Sequence, residues 1–180
     1  MKYLLPFLLV INLQADITTQ MFQLFEKKEY AKSCTLGFRH FQQHKHNETF
    51  VSLYAFSCLK SDYIDRLSQP IIALKFSTEA RKNAAYFTTI LLQKKLLYYA
   101  LIDGYDLSKF QFPTTDYVLS KVFDLYSKSP KKHDKKFYIF NDLDNPNLSY
   151  KLFLIKKNNI NKMVIEEYLN KIKIKRHIYW

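Results

Sequence analysis

Residues 78–103 read TEARKNAAYFTTILLQKKLLYYALID, the longest run of good helix formers that no proline or glycine interrupts. Thr78 is a suitable N-cap, and Glu79 places a negative charge in the first turn, where it favours the helix dipole. Gly104 follows the last periodic residue and is typical of a helix C-terminus. The stretch therefore predicts a long helix from Thr78 to Asp103.

Apolar residues cover more than half of the circumference of this helix. One side carries Ala84, Phe87, Leu91, Tyr98 and Ile102, and the apolar surface is widened by a second set comprising Ala85, Leu92, Leu96 and Tyr99. A helix that is apolar over so much of its surface packs against neighbours on both sides. We therefore expect it to be the central helix of a layered helical domain.

The first fifteen residues, MKYLLPFLLVINLQA, have the pattern of a secretory signal peptide. Lys2 supplies the positive charge, Tyr3–Leu13 is the apolar core, and Ala15 is the small residue before the expected cleavage. The alternatives are an uncleaved anchor or a buried N-terminal helix, although the apolar run is short for a membrane span. The many Lys, Asn, Ile, Phe and Tyr residues are typical of an AT-rich genome. We expect a periplasmic protein of a Gram-negative bacterium.

The composition excludes some classes of protein and narrows the partners. Two glycines in 180 residues argue against Rossmann folds, β-sandwiches and phosphate-binding loops, which need glycine for special backbone angles. The net charge is +12, and residues 128–180 hold 13 basic and 5 acidic side chains, against 14 and 11 in residues 16–127. An exported basic surface favours anionic lipid, cell-wall polymers or an acidic protein, and not nucleic acid. The alternative is a solvated lysine-rich surface.

A basic docking surface is predicted within this C-terminal third. Its members are Lys131, Lys132, Lys135, Lys136, Lys173, Lys175 and Arg176.

Five further helices are predicted from apolar spacings of three and four residues. They span residues 16–28, 30–43, 48–60, 63–77 and 115–128. Pro70 lies inside the fourth of them, so we expect a kink or a restart at that point.

Three of the connections between these helices are alike. Tyrosine follows a short turn at Tyr30, Tyr63 and Tyr105, with intervals of 33 and 42 residues. With the small residues Ser33 and Ala73, this pattern resembles the tetratricopeptide repeat (TPR) over residues 16–112. The resemblance implies antiparallel helix pairs that stack into a superhelix with a concave partner-binding face. The second repeat has Arg66 where the family has a small residue.

The C-terminal region has a different periodicity. Residues 129–136 form a polar, highly charged linker. Two short segments rich in aromatic and β-branched residues, 137–140 and 150–155, predict a hairpin, and Asn158 or Asn159 is placed to cap a helix over residues 160–170. Alternation over residues 172–180 predicts a half-buried strand whose isoleucines face the core, with Trp180 as an anchor. The fold class is therefore mainly α, TPR-like helix pairs over 16–128 followed by a small ββαβ unit over 137–180.

The two cysteines are placed to form a disulfide. Cys34 and Cys58 each lie 12 residues from residue 46, which is in the loop between the second and third helices. They therefore face each other at the same level of a helical hairpin, and an oxidising compartment would join them. The alternative is a pair of reduced core cysteines. The spacing is not that of a redox enzyme.

Three histidines offer a weak metal-binding pattern. His40 and His44 are one helical turn apart, which is a real ligand spacing, and His46 follows. The glutamate of a zinc protease is missing between them, and Glu48 is the nearest carboxylate. The alternative that we favour is an exposed, histidine-rich helix end, and we expect no metal and no cofactor.

No nucleophile, acid–base pair or cofactor motif is recognisable in the chain, so we expect a non-enzymatic protein. The best hypothesis is a periplasmic scaffold that binds protein partners in the cell envelope and docks through its basic C-terminal part. Its size and architecture are similar to those of accessory proteins of envelope machines such as the flagellar motor. The alternatives are a binding module for a cell-wall, lipid or peptide ligand and, below that, a metal-binding protein that uses the histidine cluster.

Overall fold

The computed structural model describes residues 16–129 and 136–180 of the chain. The predicted signal peptide lies outside these residues, as do Lys131, Lys132 and Lys135 of the predicted basic surface. The described chain consists of helices followed by an antiparallel sheet, so it is a mixed α+β fold.

The helices lie close to their predicted positions: α1 (Ile17–Glu26), α2 (Tyr30–His44), α3 (Glu48–Lys60), α4 (Ser68–Ala73), α5 (Thr78–Asp103) and α6 (Val118–Lys128). The fourth predicted helix is divided into a 3₁₀ turn, Ile64–Leu67, and the short α4. Pro70 lies in the first turn of α4, where its missing N–H removes no helical hydrogen bond. The predicted restart is therefore confirmed.

Side-chain caps explain where the helices begin. Asn47 accepts a hydrogen bond from the backbone N–H of Phe50 at the start of α3. At the start of α5 the cap is Ser77, which accepts from the N–H of Ala80, and not Thr78 as predicted. Gly104 ends α5 with a φ of 71°, in the left-handed region that the sequence predicted for it.

Helix α5 is central, since it contacts α3, α4, the 3₁₀ turn, α6 and the sheet. Its fully buried face differs from the predicted one and shares only Phe87 with it. Leu92 and Tyr99 are exposed, whereas the buried positions include Lys94, whose Nζ is 2.9 Å from a carboxylate oxygen of Asp65. A count of apolar residues could not predict this face because three of its members are polar side chains with specific partners, Asn83, Gln93 and Lys94.

Helices α2 and α3 pack closely at Gly37. A Cβ atom at this position would lie 2.6–2.8 Å from ring and Cβ atoms of the buried Tyr54. This helix pair therefore needs glycine for close approach and not for a special backbone angle.

Gly37→Ala should lower the free energy of unfolding by about 1–3 kcal/mol because the added methyl overpacks the helix pair. In a helix without such a close contact, the same substitution would raise the free energy of unfolding by roughly 1 kcal/mol. The sign of the change in stability therefore distinguishes the two situations. Urea denaturation measures it, with the exposed Gln42→Ala in the same helix as the control. Unchanged or increased stability of Gly37→Ala would contradict this packing.

The C-terminal sheet consists of β1 (Phe137–Asn141), β2 (Leu148–Lys157), β3 (Ile160–Leu169) and β4 (Ile172–Tyr179). The strands are antiparallel and lie in sequence order. The predicted hairpin of β1 and β2 is confirmed, whereas the helix predicted over residues 160–170 is wrong, since these residues form β3.

Two tight turns explain this difference. Asn158 and Asn159 have φ values of 51° and 59° between β2 and β3, and Asn170 and Lys171 have 51° and 66° between β3 and β4. Asparagine tolerates positive φ, and two such residues in succession connect hairpin strands whose twist they match. Asn158 and Asn159 therefore turn the chain back into a strand instead of capping a helix. Pairing with β2 and β4 then decides the structure of β3.

The orientation of β4 is the reverse of the predicted one. His177 and Tyr179 are buried against the helices, whereas the isoleucines at 172, 174 and 178 are exposed, as is Trp180 with 62% of its surface. Trp180 is therefore not the anchor of the sheet. The inner face of the sheet shares its core with the helices, and the hydroxyl of Tyr98 in α5 donates to the carbonyl of Asn161 at 2.7 Å.

Candidate functional site

The junction between the helices and the sheet is built on Asp62. Asp62 follows the last turn of α3 and has a φ of 63°. The backbone N–H of Tyr63 donates a hydrogen bond to the carbonyl of Cys58, five residues earlier, as in a Schellman motif. The carboxylate of Asp62 then accepts hydrogen bonds from the hydroxyl of Tyr117 at 2.7 Å and from Nδ1 of His177 at 2.8 Å. One turn thus holds both the start of α6 and the strand β4.

The imidazole of His177 bridges two carboxylates. Its Nδ1 bonds to Asp62, and its Nε2 lies 2.9 Å from Oε1 of Glu167 on the neighbouring strand β3. A carboxylate only accepts hydrogen bonds, so when Asp62 and Glu167 are both ionised each ring nitrogen donates a proton and the ring is an imidazolium. Burial disfavours this charge, but the bonds to Asp62 and Glu167 outweigh burial and raise the pKa of His177 above its ordinary value.

The pKa values of the groups around His177 are shifted as well. The hydrogen bond from His177 is the main cause that lowers the pKa of Glu167. Burial raises the pKa values of Tyr117 and Tyr179 well above the usual range, so both phenols stay neutral, and their hydroxyl oxygens lie 3.2 Å apart. Since both nitrogens of His177 are occupied, the ring has no lone pair for a general base. The arrangement serves to join two layers.

A cleft of about 330 Å³ opens beside this network between the helices and the sheet. The exposed lysines Lys60 and Lys175 line it together with Tyr86, whose hydroxyl donates to Asp116 at 2.8 Å. Its mixture of lysines, carboxylates and aromatic rings suits a small polar ligand.

The other face of the sheet is turned to solvent, and we call it the outer sheet face. Because side chains alternate along a strand, the strand pairing places one set of residues on this face. Its apolar members include Phe137, Ile139, Phe153, Ile155, Ile178 and, just after β4, Trp180. Ile139 is 63% exposed, and Trp180 is 62% exposed. Isolated exposed apolar residues are ordinary, but a contiguous group marks an interaction surface.

Cationic side chains lie among these apolar residues. The ammonium of Lys151 is 4.7 Å from the ring centre of Phe137, and that of Lys162 is 4.9 Å from the ring of Trp180. The guanidinium of Arg176 lies 5.7 Å from the ring of Phe153. The outer sheet face is therefore both apolar and basic.

The carboxylate of Glu166 on this face is neutralised by its neighbours. It is buried and accepts a hydrogen bond of 2.7 Å from the hydroxyl of Tyr168. Its Oε1 is also 3.5 Å from Nζ of Lys173 and 3.6 Å from Nε of Arg176. Among the described residues, its ion pairs are with Lys173 and Arg176 and not with Lys151 or Lys162.

The aromatic surface continues from Trp180 onto the helices. Trp180 and Ile178 line a cleft of about 350 Å³ together with Tyr63 and Arg66. The guanidinium of Arg66 lies between two rings, 4.9 Å from that of Phe38 and 4.7 Å from that of Tyr63.

The structure separates the members of the predicted basic surface that it describes. Lys173 and Arg176 lie on the outer sheet face, and Lys136 is exposed just before β1. Lys175 instead lines the cleft on the opposite side of the sheet. The charge pattern predicts part of this surface but not its apolar half, because alternation alone does not show that Ile178 and Trp180 face solvent.

The predicted histidine cluster has other contacts. The rings of His40 and His44 are 6.5 Å apart, His40 bonds to the side chain of Gln43, and His44 packs on Phe50. Residues 16–129 and 136–180 contain no group of three His, Cys, Asp or Glu side chains that could hold a metal ion. Glu48 instead accepts backbone N–H bonds from residues 75–77, and its pKa is lowered to about 2, chiefly by its bond with Ser77.

The two cysteines are bonded to each other. The sulfur atoms of Cys34 and Cys58 are 2.08 Å apart, and the bond joins α2 to α3 as the spacing around residue 46 predicted. Both residues are buried, and Nη1 of Arg66 lies 3.4 Å from the sulfur of Cys34. The disulfide stiffens the helix pair that carries Asp62 at its end.

Comparison with known family models, curated proteins and solved structures found no match to this chain. Among the residues that the structure describes, no helix has the length and apolar character needed to cross a membrane.

Proposed function

We propose that this chain is an exported, non-enzymatic scaffold protein of the bacterial cell envelope that docks through its outer sheet face. The observation that carries the proposal is the apolar and basic character of that face, with Ile139, Ile178 and Trp180 projecting into solvent. A contiguous apolar patch of this kind is unfavourable in water, so its presence on a well-packed sheet indicates a partner that covers it. The network around His177 fixes the face relative to the helices, as a docking platform requires.

Other features support the remaining parts of this proposal. The disulfide suits an oxidising compartment such as the periplasm. The turns after α1, α3 and α5 each place one residue at positive φ, namely Lys28, Asp62 and Gly104, which supports a TPR-like relation between the helix pairs. A helical scaffold of this kind suits an accessory role in an envelope machine, and the flagellar motor is the machine that we propose to examine first.

Affinity purification from gently cross-linked envelopes tests the proposal. The tagged wild type, expressed at its native level, should recover a consistent set of subunits of one envelope complex by mass spectrometry. Ile139→Glu combined with Trp180→Glu should lose that set because it places charges on the docking face. Ile72→Glu is the matched control, since Ile72 on α4 is 77% exposed and far along the chain from the sheet. Recovery of the same set by all three proteins, or of no set by the wild type, would contradict the proposal.

The cleft between the layers favours a second candidate, a periplasmic binding module for a cell-wall, lipid or peptide ligand. Its volume of about 330 Å³ and its lysine-lined rim suit a small anionic group. Mass spectrometry of small molecules that co-purify with the protein tests this candidate. A single compound that is lost in Lys60→Glu would establish it.

A further inference from the structure

We infer that the partner of the outer sheet face is the surface of an anionic lipid bilayer, with the exposed apolar side chains entering the interface and the cations binding lipid phosphates. The inference rests on the proposed function because it names the partner of the docking face. It is carried by the shape, the side-chain chemistry and the charge of that face.

The apolar side chains have the character of a membrane-interface anchor. Trp180 lies at one corner of the sheet next to Ile178, and Ile139 projects from β1 on the same side. Tryptophan and long aliphatic side chains are favoured where a protein meets the boundary between head groups and acyl chains. A sheet face that carries exposed apolar side chains at separate points can enter that boundary at each of these points.

The cations lie at the level where head groups would be. Lys151, Lys162 and Arg176 each rest beside a ring in the absence of a partner. On a bilayer the rings and isoleucines can sink below the head groups while the flexible lysine stems carry their ammonium groups to the phosphates. Glu166, paired with Lys173 and Arg176, adds little repulsion.

A depression on the same face has room for a head group. Its volume is about 350 Å³, and it is lined by Ile139, Lys151 and Lys171, together with Ser149 and Tyr168. The two lysines supply positive charge for a phosphate, and Ile139 supplies an apolar wall for the start of an acyl chain. This combination favours lipid over an acidic protein surface, which would offer carboxylates but no acyl chains.

Vesicle sedimentation with the full chain, purified in the form that the cell exports, tests the inference. The probe is a vesicle of phosphatidylglycerol and phosphatidylethanolamine, and a phosphatidylcholine vesicle is the neutral reference. The wild type should bind the anionic vesicle roughly tenfold more tightly than the neutral one, and high salt should weaken this binding. Lys162→Glu and Trp180→Glu should each weaken it by about tenfold.

Two matched controls test whether the loss of binding is specific to the outer sheet face or follows from any comparable change of charge or apolarity. Lys82→Glu makes the same charge change on α5, where Lys82 is exposed, and Ile72→Glu makes a comparable apolar-to-charged change on α4. Both should bind as the wild type does. All variants carry the same N-terminal residues, so any contribution from that segment cancels, and circular dichroism confirms that each variant is folded.

Equal binding of both vesicles, or equal binding by the face and control variants, would overturn the inference. If the envelope complex is nevertheless recovered through the outer sheet face, the partner is a protein, and the proposed function stands without the lipid. If vesicles bind as expected but no complex is recovered, the inference stands and the scaffold proposal fails.

Discussion

Replacing His177 with alanine should lower the free energy of unfolding by about 3–5 kcal/mol, the largest effect that we expect from any single substitution outside the apolar core. The imidazolium is 1% exposed and bonds to Asp62 and Glu167. Its removal leaves two carboxylates facing each other across a cavity without the charge that held them. Tyr117 still donates to Asp62, but one neutral donor cannot replace the cation.

Urea denaturation measures this loss, and two further variants make it specific. His177→Gln keeps much of the volume and one hydrogen bond but not the charge, so it should lie between alanine and the wild type. His46→Ala replaces an exposed histidine in the loop before α3 and should leave stability unchanged. If His177→Ala were as stable as His46→Ala, His177 would not hold the sheet on the helices.

The pH dependence of stability gives a second test of the same network. The pKa of His177 is raised above 6.5, so its stabilising contribution is complete below pH 6.5 and is lost as the pH rises through the folded-state value. The pKa of Glu167 is lowered below 4.5, so its contribution is present above pH 4.5 and is lost as the pH falls through the folded-state value. The wild type should therefore be most stable between these limits. His177→Gln should lose the decline on the alkaline side.

Reduction of the disulfide should have the second-largest effect, a loss of about 3 kcal/mol in the chain-entropy model. The bond between Cys34 and Cys58 spans 24 positions, so in the unfolded chain it closes a loop of medium length. Both cysteines are buried between α2 and α3, and reduced thiols would remain there as small apolar groups. Most of the loss should therefore come from the greater freedom of the unfolded chain.

Urea denaturation with and without a reductant measures this loss on the same protein, and the Cys34→Ala, Cys58→Ala double variant should be insensitive to the reductant. Thiol labelling of the denatured, unreduced protein is the control for the bond itself. No label is expected, and two labelled thiols would show that the protein does not contain the disulfide.

Local signals accounted for most of the helical part of the fold. Helix α5 begins at Thr78 and ends at Asp103 as predicted, because a serine cap and a glycine at positive φ act within a few residues of the helix ends. Its buried face could not be predicted in the same way, since Lys94 is buried only because Asp65 lies opposite. The disulfide was predictable because two residues that are equally far from the loop of a helical hairpin face each other.

The sheet was harder to predict, and the candidate site depends on it. The residues of β3 have apolar spacings that fit a helix, and the pairs Asn158–Asn159 and Asn170–Lys171 were the available evidence for hairpin turns. Alternation in β4 was recognised, but it does not say which face is inward. That choice depends on the pairing of His177 with Asp62, which lies 115 residues earlier in the chain.

Fluorescence of Trp180, the single tryptophan of the chain, tests the central claim most directly, because the claim is that the apolar face of β4 points outward and docks. In the free protein, acrylamide should quench the indole readily and the emission should be that of an exposed ring. Addition of phosphatidylglycerol vesicles should shift the emission to the blue and protect the ring from the quencher. A shielded indole in the free monomer would contradict this account, because Trp180 would then be packed in the core.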